Sequence, residues 1–131
     1  MPRLTTFALL GLLATSPAIA AGDSAAGQVV FKKCAVCHNI GPGALPKIGP
    51  ELNGLVGRAA GSTPNFNYSA AMKASGLTWD EATLAVYLKA PKNLVPGTKM
   101  TFGGLSSDQD IANLIAYLAG FAPDGTPKAP Q

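Results

Sequence analysis

This chain has two cysteines and one histidine, and all three fall in one five-residue window, Cys34-Ala35-Val36-Cys37-His38. That spacing is the one used for covalent haem attachment. On a helical stretch, side chains three and four apart share a face. Cys34 and Cys37 can then both reach the vinyl groups along one porphyrin edge, and His38 can stand over the ring with an imidazole nitrogen toward the iron. Three other readings compete. A structural zinc site needs about four N/S ligands, and only three are on offer. A thioredoxin-type redox pair asks for a βαβ context, and no strand-rich pattern surrounds this one. A plain disulfide accounts for the cysteines but leaves the neighbouring histidine a coincidence.

The start of the chain reads as an export signal. Arg3 supplies a short positive region, Leu4 to Ala14 is apolar, and Ala18-Ile19-Ala20 matches a small-x-small cleavage site. The apolar run is shorter than the roughly 20 residues of a spanning helix, and Pro17 interrupts its far side. The expected organisation is a cleaved signal peptide over 1–20, one domain over 21–120 and a flexible tail over 121–131, with cleavage after Ala20 or Ala21. An uncleaved anchor is the alternative. Covalent haem attachment takes place outside the bacterial cytoplasm, so signal and motif agree on an exported, periplasmic protein with no stable membrane insertion.

Ten Lys and Arg stand against seven Asp and Glu, a formal net charge of +3. Arg3 leaves with the leader, and haem propionates would bring the remainder close to neutral. The cations form no stripe or cluster of the kind that marks nucleic-acid binding. With 15 glycines and 11 prolines in 131 residues, the protein-only core is small, and a buried porphyrin would supply much of the missing interior.

The coarse pattern is helical. Asp23 or Ser24 can cap a first helix through Val29, Val30 and Phe31. Gly27 inside it costs stability and so points to a close helix crossing. Glycines and prolines punctuate Asn39 to Asn67, which reads as loop wrapped around something. Ser69 can cap a short helix ending at Gly76. Thr78-Trp79-Asp80-Glu81 reads as a capping box for a third helix with Leu84, Tyr87 and Leu88 on one face, stopped by Pro91. A second loop runs from Lys92 to Gly104. Ser106 or Ser107 caps a last helix in which Ile111, Leu114, Ile115 and Leu118 recur at i, i+3, i+4, i+7. No repeat and no strand pattern persists, so the class is all-α, about four helices with long loops around one haem.

The mature chain resembles a class I c-type cytochrome of the small soluble kind, close to the mitochondrial and purple-bacterial members. The likeness covers Gly22 to about Ala119 and rests on several stretches in register: the haem motif, Gly49-Pro50-Glu51-Leu52-Asn53-Gly54-Leu55-Val56-Gly57-Arg58, Phe66-Asn67-Tyr68, Leu77-Thr78-Trp79, Pro96-Gly97-Thr98-Lys99-Met100 and Leu114-Ile115-Ala116-Tyr117-Leu118. The resemblance implies the cytochrome c fold and one haem c bound through Cys34 and Cys37. It implies iron ligation by His38 and Met100, with the Pro50 carbonyl accepting from the other nitrogen of His38. Tyr68 and Trp79 would bond a propionate with Arg58 nearby. Tyr87 and Thr98 would lie on the methionine side, Phe102 at the haem edge, and Gly27 and Phe31 would cross Tyr117.

Read as residues alone, Trp79 and Tyr87 are aromatics on a buried helical face, Pro50 a turn former and Arg58 a solvated cation. Met72 rivals Met100, since these are the two methionines outside the leader; the Pro-Gly turn before Met100 and the resemblance both favour Met100. Met72 stands where relatives usually carry an asparagine that holds a water, which predicts a drier pocket and a higher reduction potential. The segment between Phe31 and Cys34 is one residue shorter than in mitochondrial relatives. Lys33, Lys47, Lys92 and Lys99 match positions that ring the haem edge and meet acidic redox partners, whereas Ser106 and Ser107 replace lysines often found there, so steering should be weaker. The expected function is a monomeric one-electron carrier docking transiently with redox complexes. The rival is a haem enzyme or gas binder with an open distal site.

Overall fold

The computed structural model describes residues 21–129; the leader reading, on 1–20, lies outside them. Five helices follow in order: α1 (Ser24–Phe31), α2 (Ala70–Ala74), α3 (Glu81–Lys89), α4 (Pro91–Leu94) and α5 (Asp108–Leu118). Only two isolated β-bridges, Ala59–Thr78 and Phe121–Pro127, break the helical pattern among the described residues. The all-α expectation holds, with one more helix than expected.

Four of the five helices are capped by a short polar side chain meeting an orphan amide. Asp23 accepts from the Ala26 amide at 2.9 Å, Ser69 from Met72 at 3.0 Å and Ser107 from Asp110 at 3.1 Å. The third helix departs from expectation. Its N-cap is Asp80, which accepts from the Thr83 amide at 2.7 Å, and not Thr78. Thr78 is unavailable because its neighbours are tied to the 58–60 segment: Ala60 N–H bonds the Leu77 carbonyl at 2.8 Å and Trp79 N–H bonds the Arg58 carbonyl at 2.9 Å. Pro91 ends α3 as expected but also opens the single turn of α4, where its missing N–H costs nothing.

α1 crosses α5 with almost no spacer. A Cβ on Gly27 would lie 2.8 Å from that of Tyr117 and inside the Asn113 carbonyl, so only glycine permits the approach. Phe31 and Tyr117 stack beside it, centroids 5.3 Å apart, and Asn113 Oδ1 accepts from the Asp23 amide at 2.9 Å. This is the crossing that Gly27 in the sequence implied.

The residues read as a tail make hydrogen bonds among themselves. After Gly120 the chain makes a defined turn: Ala122 N–H bonds the Thr126 carbonyl and Lys128 N–H bonds the Gly120 carbonyl, both at 2.8 Å. Asp124 accepts from the Thr126 amide at 2.9 Å and hydroxyl at 2.7 Å. Prolines and glycines here build a turn where composition alone suggested looseness.

Leu84, Leu88, Leu114 and Leu118 are each 6% exposed or less, yet all four also line an internal cavity. Protein interiors normally close such gaps. The core of this molecule is therefore a shell.

Candidate functional site

The haem motif continues α1 as hydrogen-bonded turns. Cys34 N–H reaches the Phe31 carbonyl at 2.8 Å, and His38 N–H reaches the Cys34 carbonyl at 2.9 Å. That last bond spans four residues, as in a helix, and brings Cys34, Cys37 and His38 to the wall of one cavity of about 410 Å³. Burial pushes the Cys34 thiol up, with Lys33 pulling against it and Cys37 adding to it.

His38 is positioned by the loop that follows. Its Nδ1 lies 2.7 Å from the Pro50 carbonyl oxygen. A carbonyl can only accept, so Nδ1 carries the proton and the lone pair is on Nε2. Burial holds the imidazole below its ordinary pKa; the Pro50 bond partly offsets this, and Arg58 and Lys47 add to the lowering. The neutral, metal-binding form is thereby favoured. Gly49 packs flat against the ring: a Cβ there would sit 2.7 Å from Nδ1.

The loop itself is knotted by Arg58. Its guanidinium donates to the Glu51 carboxylate at 3.2 Å, to the Asn53 carbonyl at 3.0 Å and to the Glu51 carbonyl at 2.9 Å. Arg58 lines the cavity, but three of its five donors are committed to the loop. Its structural work there was not legible in the sequence.

Tyr87, 6% exposed, packs on Trp79 with centroids 4.8 Å apart. Its hydroxyl lies 3.1 Å from Thr98 Oγ1 and donates to Met100 Sδ at 3.5 Å. Burial raises the phenol's pKa, with Thr98 opposing, so the donating proton stays in place. Thr98 Oγ1 also accepts from the Met100 amide at 3.3 Å, which fixes the turn presenting the thioether. Tyr68 accepts from the Thr63 amide at 3.1 Å.

All ten residues singled out in the sequence, Cys34, Cys37, His38, Pro50, Arg58, Tyr68, Trp79, Tyr87, Thr98 and Met100, line this one cavity. So do Met72, Phe102, Lys33 and Lys99; Lys47 and Lys92 do not. Lys47 instead donates to the Ala35 carbonyl at 2.5 Å. Sequence reading gave no role to Thr63 and only a turn or motif place to Gly49, Glu51 and Asn53. Thr63 Oγ1 is buried without a partner, while the amide of the same residue bonds the Tyr68 hydroxyl. Its signal would have been a threonine in a loop otherwise made of turn residues.

These walls suit a porphyrin. Apolar side chains face the slot, two thiols and an imidazole line it together, and a thioether is held within it. A family model for cytochrome c matches residues 24–121.

The chain belongs to the cytochrome c family.

Cytochrome c2 of Rhodomicrobium vannielii is 58% identical over 108 residues, covering 82% of this chain and 86% of the relative. Cytochrome c2 of Blastochloris viridis is 48% identical over 126 residues, 96% of this chain and 99% of the relative. Among solved structures, cytochrome c2 from Rhodospirillum centenum superposes with a TM-score of 0.75 at 38% identity, over 78% of this chain and 100% of that one. The protein is thus a class I c-type cytochrome. Cys34 and Cys37 carry one covalently bound haem c. It is an electron carrier and not an enzyme.

Proposed function

We propose that this cytochrome is a periplasmic carrier whose iron is held by His38 and Met100 and exchanges single electrons with redox complexes at the cavity mouth. The haem supplies the redox chemistry, one electron between ferric and ferrous iron; the chain sets how readily it moves. The observation that carries the reading is the pairing of two ligands, each already aimed by a hydrogen bond: His38 by Pro50 and Met100 by Tyr87.

Pro50 strengthens the imidazole as a donor by drawing on its Nδ1 proton. Tyr87 draws density from the thioether, and a soft sulfur ligand favours ferrous iron. Tyr68, Trp79 and Arg58 form the polar part of the wall, suited to the propionates. Exposed Lys33 and Lys99 line the cavity and exposed Lys47 and Lys92 do not; all four would meet a partner's carboxylates as a monomer docks. Lys99 also donates to the Asn67 carbonyl at 3.4 Å, which holds its ammonium near the rim. No helix among the described residues is long and apolar enough to cross a membrane, in keeping with a chain released after export.

The optical spectrum tests the ligation. A ferric sulfur-to-iron charge-transfer band in the far red, lost in Met100→Ala, is the expected result. Its absence, with rapid carbon monoxide binding to the reduced protein, would establish an open distal site instead. Fractionation of the source cells tests the location: haem-stained protein lacking residues 1–20 belongs in the periplasmic fraction.

A further inference from the structure

The loop that presents Pro50 to His38 closes on itself at a narrow neck. Asn53, 6% exposed, ties the neck with both ends of its amide: Oδ1 accepts from the Gly41 N–H at 2.7 Å and Nδ2 donates to the Gly41 carbonyl at 2.9 Å. Within the neck, Leu52 N–H bonds the Asn39 carbonyl at 3.0 Å and Gly49 N–H bonds the Cys37 carbonyl at 2.8 Å. Outside it, the C-terminal turn presses on that same tie. Gly125 is buried with φ +85°, and a Cβ there would lie 2.7 Å from Asn53 Nδ2 and inside the Gly41 carbonyl. One residue along the neck, a Cβ on Gly54 would lie 2.8 Å from Pro123 Cα. The turn is anchored to the last helix by Tyr117 on Phe121, centroids 5.2 Å apart, and by the Lys128 to Gly120 bond.

We propose that the C-terminal turn, Phe121 to Lys128, is a clasp that holds the His38 loop closed, so that Gly125 and Pro123 act as positioning residues for the imidazole they do not touch. The chain of contacts runs from Gly125 to Asn53 and Gly41, and through the 41–53 loop to the Pro50 carbonyl and the His38 ring. A side-chain tie of this kind opens readily when water reaches it; covering it with buried backbone removes that route. The turn matters to iron ligation only if His38 is the ligand, so this inference rests on the ligation proposed above.

The test compares haem-loaded ferrous protein in three forms: the full chain, a chain ending at Gly120, and Gly125→Ala. Hydrogen exchange is followed by NMR at His38 Nδ1 and at the amides of Gly41, Gly49 and Leu52, with the Leu88 amide of α3 reporting global opening. Local opening has its own free energy, distinct from global unfolding. The clasp predicts that both variants accelerate the loop group by about tenfold or more over any acceleration at Leu88. Equal acceleration at every site would make the turn a general stabiliser, and unchanged loop exchange would make it idle; either overturns the proposal. Should the shortened chain fail to fold, Gly125→Ala decides alone. Should the full chain show no protected His38 Nδ1 proton, the ligation falls, while the three amides still judge the clasp.

Discussion

Gly49 shows how a residue without a side chain can set the properties of its neighbour. The His38 ring occupies the space a Cβ would fill, so Gly49→Ala must tilt the imidazole and lengthen its bond to Pro50. Overpacking of this kind costs about 1–3 kcal/mol. We expect that loss in a guanidinium titration, together with a shifted midpoint potential, and a wild-type-like potential would show that ring orientation is unimportant. Met72 acts on the same cavity by chemistry. It is 8% exposed and lines the slot, where an apolar thioether would make for a drier wall than an amide. A dry wall disfavours the extra charge of ferric iron. Replacement with asparagine admits water, so the midpoint of Met72→Asn should fall in a redox titration; an equal or higher value would refute the drier-pocket reading.

Elements here are short, and their ends count for much of their stability. Asp80 is held below the ordinary carboxylate pKa of 3.8, chiefly by its bond from the Thr83 amide. A depressed folded-state pKa means stability that is full above the unfolded value and lost as pH falls through the folded one. The stability gap between wild type and Asp80→Ala should therefore be constant near neutrality and shrink in acid below pH 3.8. Parallel acid titrations of the two by circular dichroism would show it, and a gap that persists at low pH would exclude the cap as its cause. The α1–α5 crossing is less forgiving. Gly27→Ala drives a methyl into the Asn113 carbonyl and should cost about 1–3 kcal/mol, read from the thermal midpoint, with haem content unchanged.

At the scale of the whole molecule, the protein is a shell whose interior the prosthetic group completes. Leu114 is fully buried and lines the slot. Leu114→Ala should cost about 2–5 kcal/mol in the haem-loaded protein. The surface carries a formal excess of only three cations over the full chain, with Lys33 and Lys99 lining the cavity and Ser106 and Ser107 exposed nearby in sequence. So few charges would steer a partner only modestly. Partner association should slow as ionic strength rises, and Lys99→Glu should slow it further at low salt than Lys128→Glu. A rate independent of salt would remove the lysines from the docking account.

The sequence by itself determined the cofactor, because haem attachment needs two thiols and an imidazole at fixed local spacing, and local spacing is written directly in the chain. It also determined four of the five helices and the Gly27 crossing, since periodicity and a missing side chain are local facts. Tertiary structure decided what depends on contacts between distant segments. A bridge to Ala59 moved the cap of α3 from Thr78 to Asp80. Glu51 and the 51–53 carbonyls drew Arg58 into the loop. The turn after Gly120 found order because Gly41 and Asn53, far back in the chain, offer the surface it closes on.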